Sequence, residues 1–163
     1  MQNITPNRFK ATPSKQRLNE LSHVVQKHGG TIPNDFNIDE IHWVTDRIGI
    51  TDFEGCDAAV KKGYFVINVA GELTSSADIQ SDIDPGSGKV EKTLNKLCKI
   101  IRDKIKADNK TKIVVHCAMG MERSPLTVVW YLHKYHKMTI SDAYKMARKA
   151  RPIVLDRRDW IKY

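Results

Sequence analysis

No part of the chain constrains its fold more than residues 112–132. Lys112-Ile113-Val114-Val115 is short, apolar and β-branched, the pattern of a buried strand. Pro125–Leu132 reads as a helix with proline in its first turn, where a missing N–H costs nothing. Between them stands His116-Cys117-Ala118-Met119-Gly120-Met121-Glu122-Arg123-Ser124. A cysteine at the C-terminal end of a strand is thus followed by a tight loop that enters a helix. Such a loop points successive backbone N–H groups into one concavity, and the helix N-terminus adds partial positive charge. That is a seat for a dianion such as phosphate. Arg123 can close the ring with a planar, bidentate guanidinium. Gly120 permits positive φ or close backbone approach at mid-loop.

The chemistry follows from the residue types. The nucleophile is a thiolate, whereas an ordinary cysteine titrates near ~8.5. Oriented amides, the helix N-terminus and Arg123 all favour the thiolate of Cys117, which is then ready to attack the phosphorus of a phosphomonoester. Ser124 puts a hydroxyl at the loop's exit, where it can donate to the sulfur as the sulfur leaves. His116 can order the loop by bonding to a carbonyl.

His-Cys-x-x-Gly-x-x-Arg-Ser resembles the active-site loop of cysteine-based protein tyrosine phosphatases, in the dual-specificity branch. Rhodanese-like and low-molecular-weight phosphatase loops fit less well, the first by loop length and the second by position in the chain. The upstream stretch GITDFEGCDAAVKKGYFVINVAGEL also looks like the first half of a dual-specificity phosphatase. Arg151-Pro152 and Asp159-Trp160-Ile161 resemble the family's closing turn and short last helix. The resemblance implies an α/β fold: a central, mostly parallel but mixed sheet of about five short strands, flanked by about six helices. It also implies a phosphoprotein substrate, with phosphotyrosine and phosphoserine or phosphothreonine hydrolysed through a cysteinyl-phosphate intermediate. No cofactor and no metal are expected. The phosphate-binding loop would be Ala118, Met119, Gly120, Met121, Glu122 and Arg123.

Phosphate monoesters of Ser, Thr or Tyr need a carboxylic acid to protonate the leaving oxygen, and then a carboxylate to activate water. The family places an Asp after a strand, roughly thirty residues before the cysteine. Asp78, Asp82 and Asp84 lie near that distance. Asp84 ends an apparent edge strand and precedes Pro85-Gly86, which puts it on a turn; it is chosen, with Asp82 as the runner-up.

The chain has 163 residues and 40% hydrophobic side chains, enough for one domain with a sizeable core. Residues 1–13 read as a loose segment and 14–163 as a single catalytic domain. Helices are expected over residues 14–28, 52–62, 87–107, 125–137 and 141–151, capped by Ser14, Thr51 and Ser141 at three of their starts. No apolar run of membrane-spanning length and no signal core occur, so no membrane insertion is expected. Cys56, Cys98 and Cys117 are an odd number without metal-ligand spacing, which points to the reducing cytosol. His133 and His136 read as a surface or packed pair.

The net charge of +8 is concentrated at the ends: net +4 over residues 1–30, net +6 over 134–163 and net −2 between them. Solvated basic ends explain this better than nucleic-acid binding, because aromatics do not interleave with Lys and Arg. Glu122 in the loop would repel polyanions if it faced them, which favours a monophosphorylated protein over a phosphoinositide or an RNA 5′-triphosphate. A phosphoprotein-binding pseudophosphatase is the reading from another class; Cys117 and Arg123 both argue for an enzyme.

Overall fold

The structure is a computed structural model that describes residues 14–27 and 29–161. The expected loose segment, residues 1–13, lies outside the described residues. Element order is α1 (Ser14–Lys27), β1 (His42–Trp43), β2 (Ile48–Thr51), α2 (Cys56–Lys61), β3 (Phe65–Asn68), β4 (Ile79–Gln80), α3 (Val90–Ala107), β5 (Ile113–His116), α4 (Arg123–Tyr135), α5 (Ile140–Ala150) and a closing 3-10 turn (Arg158–Trp160).

The five strands form one mixed sheet in the order β1-β2-β5-β3-β4. β1 is antiparallel to β2; β2, β5, β3 and β4 run parallel. The architecture is the expected one. Among the described residues there are five α-helices where about six helices were expected, the closing element being a single 3-10 turn.

β5 is central and buried on both faces, which is why Ile113-Val114-Val115-His116 is apolar throughout rather than alternating. Ile113 and Val115 join Ile48, Ile50 and Ile67 in the main core beneath α3, α4 and α5. Val114 and Val66 point the other way, against Cys56 and Ala59 of α2. Each fully buried valine or isoleucine contributes about 1.5–3 kcal/mol relative to exposure.

The register positions the site. His116 pairs with Thr51 on one side and Asn68 on the other, so β2, β5 and β3 end at one level. Gln80 of β4 pairs with Asn68 at that same level. The segments that follow all four parallel strands therefore emerge together at one end of the sheet.

Several starts differ from expectation. α2 begins at Cys56, not Asp52, and its cap-like contact is Asp52 Oδ1 accepting from the Gly55 N–H. Thr51 instead donates its hydroxyl to the Asp39 and Glu40 carbonyls. α5 is capped by Thr139, whose Oγ1 accepts from the Asp142 N–H, while Ser141 lies within the first turn. α3 starts at Val90 because Ser87 is engaged in the preceding turn, donating to the Asp84 carbonyl and accepting from the Lys89 N–H.

Candidate active site

The loop between β5 and α4 is shaped from behind, through its carbonyls. His116 Nδ1–H donates to the Cys117 oxygen (2.9 Å). The Phe53 N–H donates to Ala118 O (3.1 Å) and the Leu155 N–H to Met121 O (2.9 Å). Arg151 donates Nη2–H to Met119 O (2.8 Å) and Nε–H to Gly120 O (2.7 Å). The Leu126 N–H takes Glu122 O (3.1 Å). Every carbonyl from 117 to 122 is thus turned outward and satisfied. A peptide plane with its C=O outward has its N–H inward, so the loop's donors are left for the concavity.

Gly120 is required here for two reasons. Its φ is +67°, and a Cβ would lie 2.6 Å from Arg151 Nη2 and 2.7 Å from the Thr51 carbonyl oxygen. The methionines of the loop are packed away: Met119 and Met121 sit against Leu21, Val25, Ile38 and Ile153, joining the loop to α1.

Cys117 is 3% exposed, with Sγ 3.3 Å from Ser124 Oγ. Burial works against its thiolate but is outweighed. The Arg123 charge, the Ser124 hydroxyl and the backbone N–H groups of Ser124 and Gly120 together hold the thiol below its ordinary value. Cys98, by contrast, is pushed up to about 12 by burial and donates to the Thr127 carbonyl in the core. His116 is kept neutral by burial. A carbonyl can only accept, so Nδ1 carries the proton; Nε2 then accepts from the Ser75 hydroxyl at 2.9 Å.

Arg123 is held by a residue the sequence reading missed. Its Nη1 and Nη2 donate to Glu72 Oε1 and Oε2, both at 2.7 Å, a fork-to-fork pair. This bond holds the Glu72 carboxyl below its usual range. Arg123 has five N–H donors, so the fork leaves the others for a phosphate. Glu72 follows β3, and only the sheet register brings it beside β5's loop.

The three aspartates separate clearly. Asp78 Oδ2 accepts from the Val66 N–H (2.8 Å), a strand-edge role. Asp82 Oδ1 accepts from the Gly71 N–H (3.0 Å), next to Glu72, and its charge acts on Arg123. Asp84 is exposed on the turn that follows; its Oδ1 accepts from the Gly86 N–H (3.0 Å).

Glu122 is paired with Arg157 at 2.6 Å, so its charge is matched at the loop's rim. His133 Nδ1–H donates to the Met138 carbonyl and His136 lies beside the Tyr131 ring, so the two histidines serve packing.

Behind the loop lies a second missed group. Arg151 is fully buried, and beyond its two loop contacts it donates to the Ile38 and Glu40 carbonyls and to His42 Nδ1. Asp52 is bonded to Asp39. Its carboxyl is pushed up to about 9, first by burial and then by Asp39, so the two acids share a proton beside Arg151 at neutral pH. His42 is drawn down to about 4 by burial and by the Arg151 charge. The unfolded chain therefore binds a proton near 6.5 that the folded one refuses. His42 alone therefore lowers stability as pH drops from about 6.5 toward about 4, while Asp52, which keeps its proton up to about 9 in the fold but releases it near 3.8 when unfolded, acts in the opposite sense over the same range. Thermal melts across that range should show His42→Gln gaining stability on acidification relative to the wild type; an identical pH slope in the two would remove His42 from this role.

Comparison with known proteins is consistent with this geometry. Residues 57–162, more than half of the chain, match the model of the dual specificity phosphatase catalytic domain. The chain belongs to the dual-specificity phosphatase family. It is 32% identical to mouse dual specificity protein phosphatase 18 over 93 residues, covering 55% of this chain and 50% of that protein. It is 44% identical to human dual specificity protein phosphatase 26 over 46 residues, covering 28% and 22% of the two. The chain therefore spans half or less of the length of these curated relatives. In fold it is similar to human DUSP28 (TM-score 0.62, 16% identity, 74% of this chain and 86% of that one). It is also similar to human tyrosine phosphatase-like serine/threonine/tyrosine-interacting protein (TM-score 0.63, 14% identity, 75% and 91%). α1 and residues 29–56 lie outside the matched region and supply Leu21, Val25, Ile38, Asp39, His42 and Asp52 to the loop's support.

Proposed function

We propose that the protein is a cysteine-dependent phosphoprotein phosphatase of the reducing cytosol, acting on phosphotyrosine and on phosphoserine or phosphothreonine. The observation that carries this reading is the lowered Cys117 thiol inside a loop whose carbonyls all face outward. The thiolate attacks phosphorus, the P–O bond to the substrate breaks, and Asp84 gives its proton to the departing oxygen. A phosphocysteine results. Water then attacks that phosphorus, Asp84 takes the water's proton, and the P–S bond breaks with the Ser124 hydroxyl donating to the returning thiolate. Arg123 and the inward N–H groups stabilise the equatorial oxygens throughout.

Both aspartates are exposed. Asp82 is tied by Oδ1 to the Gly71 N–H, where it braces the segment carrying Glu72, whereas Asp84 holds only its own turn, through the Gly86 N–H, and this supports Asp84 as the acid.

Fully reduced protein is expected to hydrolyse an aryl phosphate without added metal and to be inhibited by vanadate. Asp84→Asn should slow a substrate with a poor leaving group by about 10²-fold and one with a good leaving group much less. If Asp82→Asn shows that dependence and Asp84→Asn does not, the roles are exchanged. Turnover of triphosphorylated RNA or a phosphoinositide in preference to phosphopeptides would overturn the substrate class. Binding of phosphopeptides with no turnover would make the protein a recognition module.

A further inference from the structure

A cavity of about 270 Å³ opens at the catalytic end of the sheet, lined by Pro85, Gly86, Gly88, Val90, Glu91 and Trp160. Its two sides tie it to the site already described. One side is the turn after Asp84, closed by Asp84 Oδ1 on the Gly86 N–H. The other is the Trp160 ring, 5.4 Å from the Arg157 guanidinium. Arg157 in turn grips Glu122, the residue before Arg123. The cavity therefore lies between the acid turn and, through Trp160 and Arg157, the rim of the phosphate loop.

Its chemistry is of two kinds. Pro85, Val90 and Trp160 offer apolar surface. Glu91, exposed in the first turn of α3, offers a carboxylate that forms no ion pair among the described residues. Of the cations nearby, Arg157 has its charge matched by Glu122, and Lys89 is exposed between Gly88 and Val90. Apolar walls with an acidic mouth suit a side chain that has a long hydrocarbon stem and a positive head.

We propose that this cavity is a substrate subsite for a lysine or arginine flanking the phosphorylated residue. The stem lies along Pro85, Val90 and Trp160, and the head meets Glu91. The proposal rests on the phosphatase reading above and adds a sequence preference to it. An exposed ion pair with stem packing is expected to favour a basic neighbour by about 2- to 5-fold in kcat/KM.

The test compares paired phosphopeptides that differ only in arginine or alanine next to the phosphorylated residue, on each side in turn. On at least one side the arginine-to-alanine ratio of kcat/KM should exceed 2 by the estimate above, and it should fall to about 1 in Glu91→Gln and below 1 in Glu91→Lys. Trp160→Ala should reduce it as well. Because the readout is a ratio within each variant, any general loss of activity cancels. A wild-type ratio of 1 on both sides overturns the proposal, as does a ratio that survives in both Glu91→Gln and Trp160→Ala. Should the wild type hydrolyse neither peptide, the phosphatase reading fails, and the same ratio read as Kd on Cys117→Ser protein still decides the subsite.

Discussion

Serine at position 117 is expected to lower turnover by at least about 10⁴-fold while leaving phosphopeptide binding within a few fold of the wild type. The two effects separate because different atoms carry them. Nucleophilicity belongs to Sγ alone, and everything around it is arranged for a thiolate: the Arg123 charge, the Ser124 hydroxyl and the N–H groups of Gly120 and Ser124. A serine hydroxyl in the same place remains un-ionised at neutral pH and is not an effective nucleophile. Phosphate binding belongs to Arg123 and to the inward N–H groups, which depend on the outward carbonyl bonds to Arg151, Phe53 and Leu155, and these remain. Loss of the thiolate also removes a negative charge that repels the dianion. Turnover is read with an aryl phosphate under full reduction, and affinity by fluorescence anisotropy of a labelled phosphopeptide. Residual turnover within tenfold of the wild type would remove Cys117 from its role.

The parts of this site that were legible in the sequence are those built by local geometry. Cys117, Gly120, Arg123 and Ser124 lie within one strand–loop–helix turn, so their spacing alone dictates where their groups point. Glu72 and Arg151 act on the same loop across 51 and 31 residues of chain, through the Asn68–His116 register and the packing of α5. No spacing rule reaches that far. The edge strand shows a different limit. The edge strand expected just before Asp84 is short: β4 pairs only at Ile79 and Gln80. Backbone bonds to the β3 segment do extend beyond that pair, from the Asp78 N–H to Val66 O, the Ser81 N–H to Asn68 O and the Ile83 N–H to Val69 O, while Asp78 Oδ2 takes the Val66 N–H. Glu122 read as a repulsive charge in sequence because Arg157, which matches it, comes 35 residues later.

Lysine at position 151 is expected to cost about 3–5 kcal/mol of stability and, in the molecules that fold, to raise the pH at which Cys117 becomes reactive. Arg151 is the largest fully buried side chain among the described residues, and its planar group serves five acceptors at once. Lysine keeps the positive charge but has three donors at one point, so it cannot hold Met119 O and Gly120 O while also reaching Ile38 O and His42. A loop carbonyl released from behind is free to rotate, and each rotation turns an N–H away from the anion. The Gly120 N–H is one of the groups that hold the Cys117 thiol low, so the thiol should drift back toward its ordinary value. Thermal melts measure the first effect. The pH profile of iodoacetate labelling at Cys117, together with vanadate affinity, measures the second below the melting transition. The expected result is a labelling midpoint moved upward and weaker vanadate binding, both beyond what the unfolded fraction explains. Asp39→Asn supplies a milder perturbation of the same support, since Asp39 is the hydrogen-bond partner of Asp52 beside Arg151 and makes no bond to the loop. Folded protein from both variants that labels and binds vanadate as the wild type does would reduce Arg151 to a strut of the core, and the shaping of the loop would then have to come from His116, Phe53 and Leu155 alone.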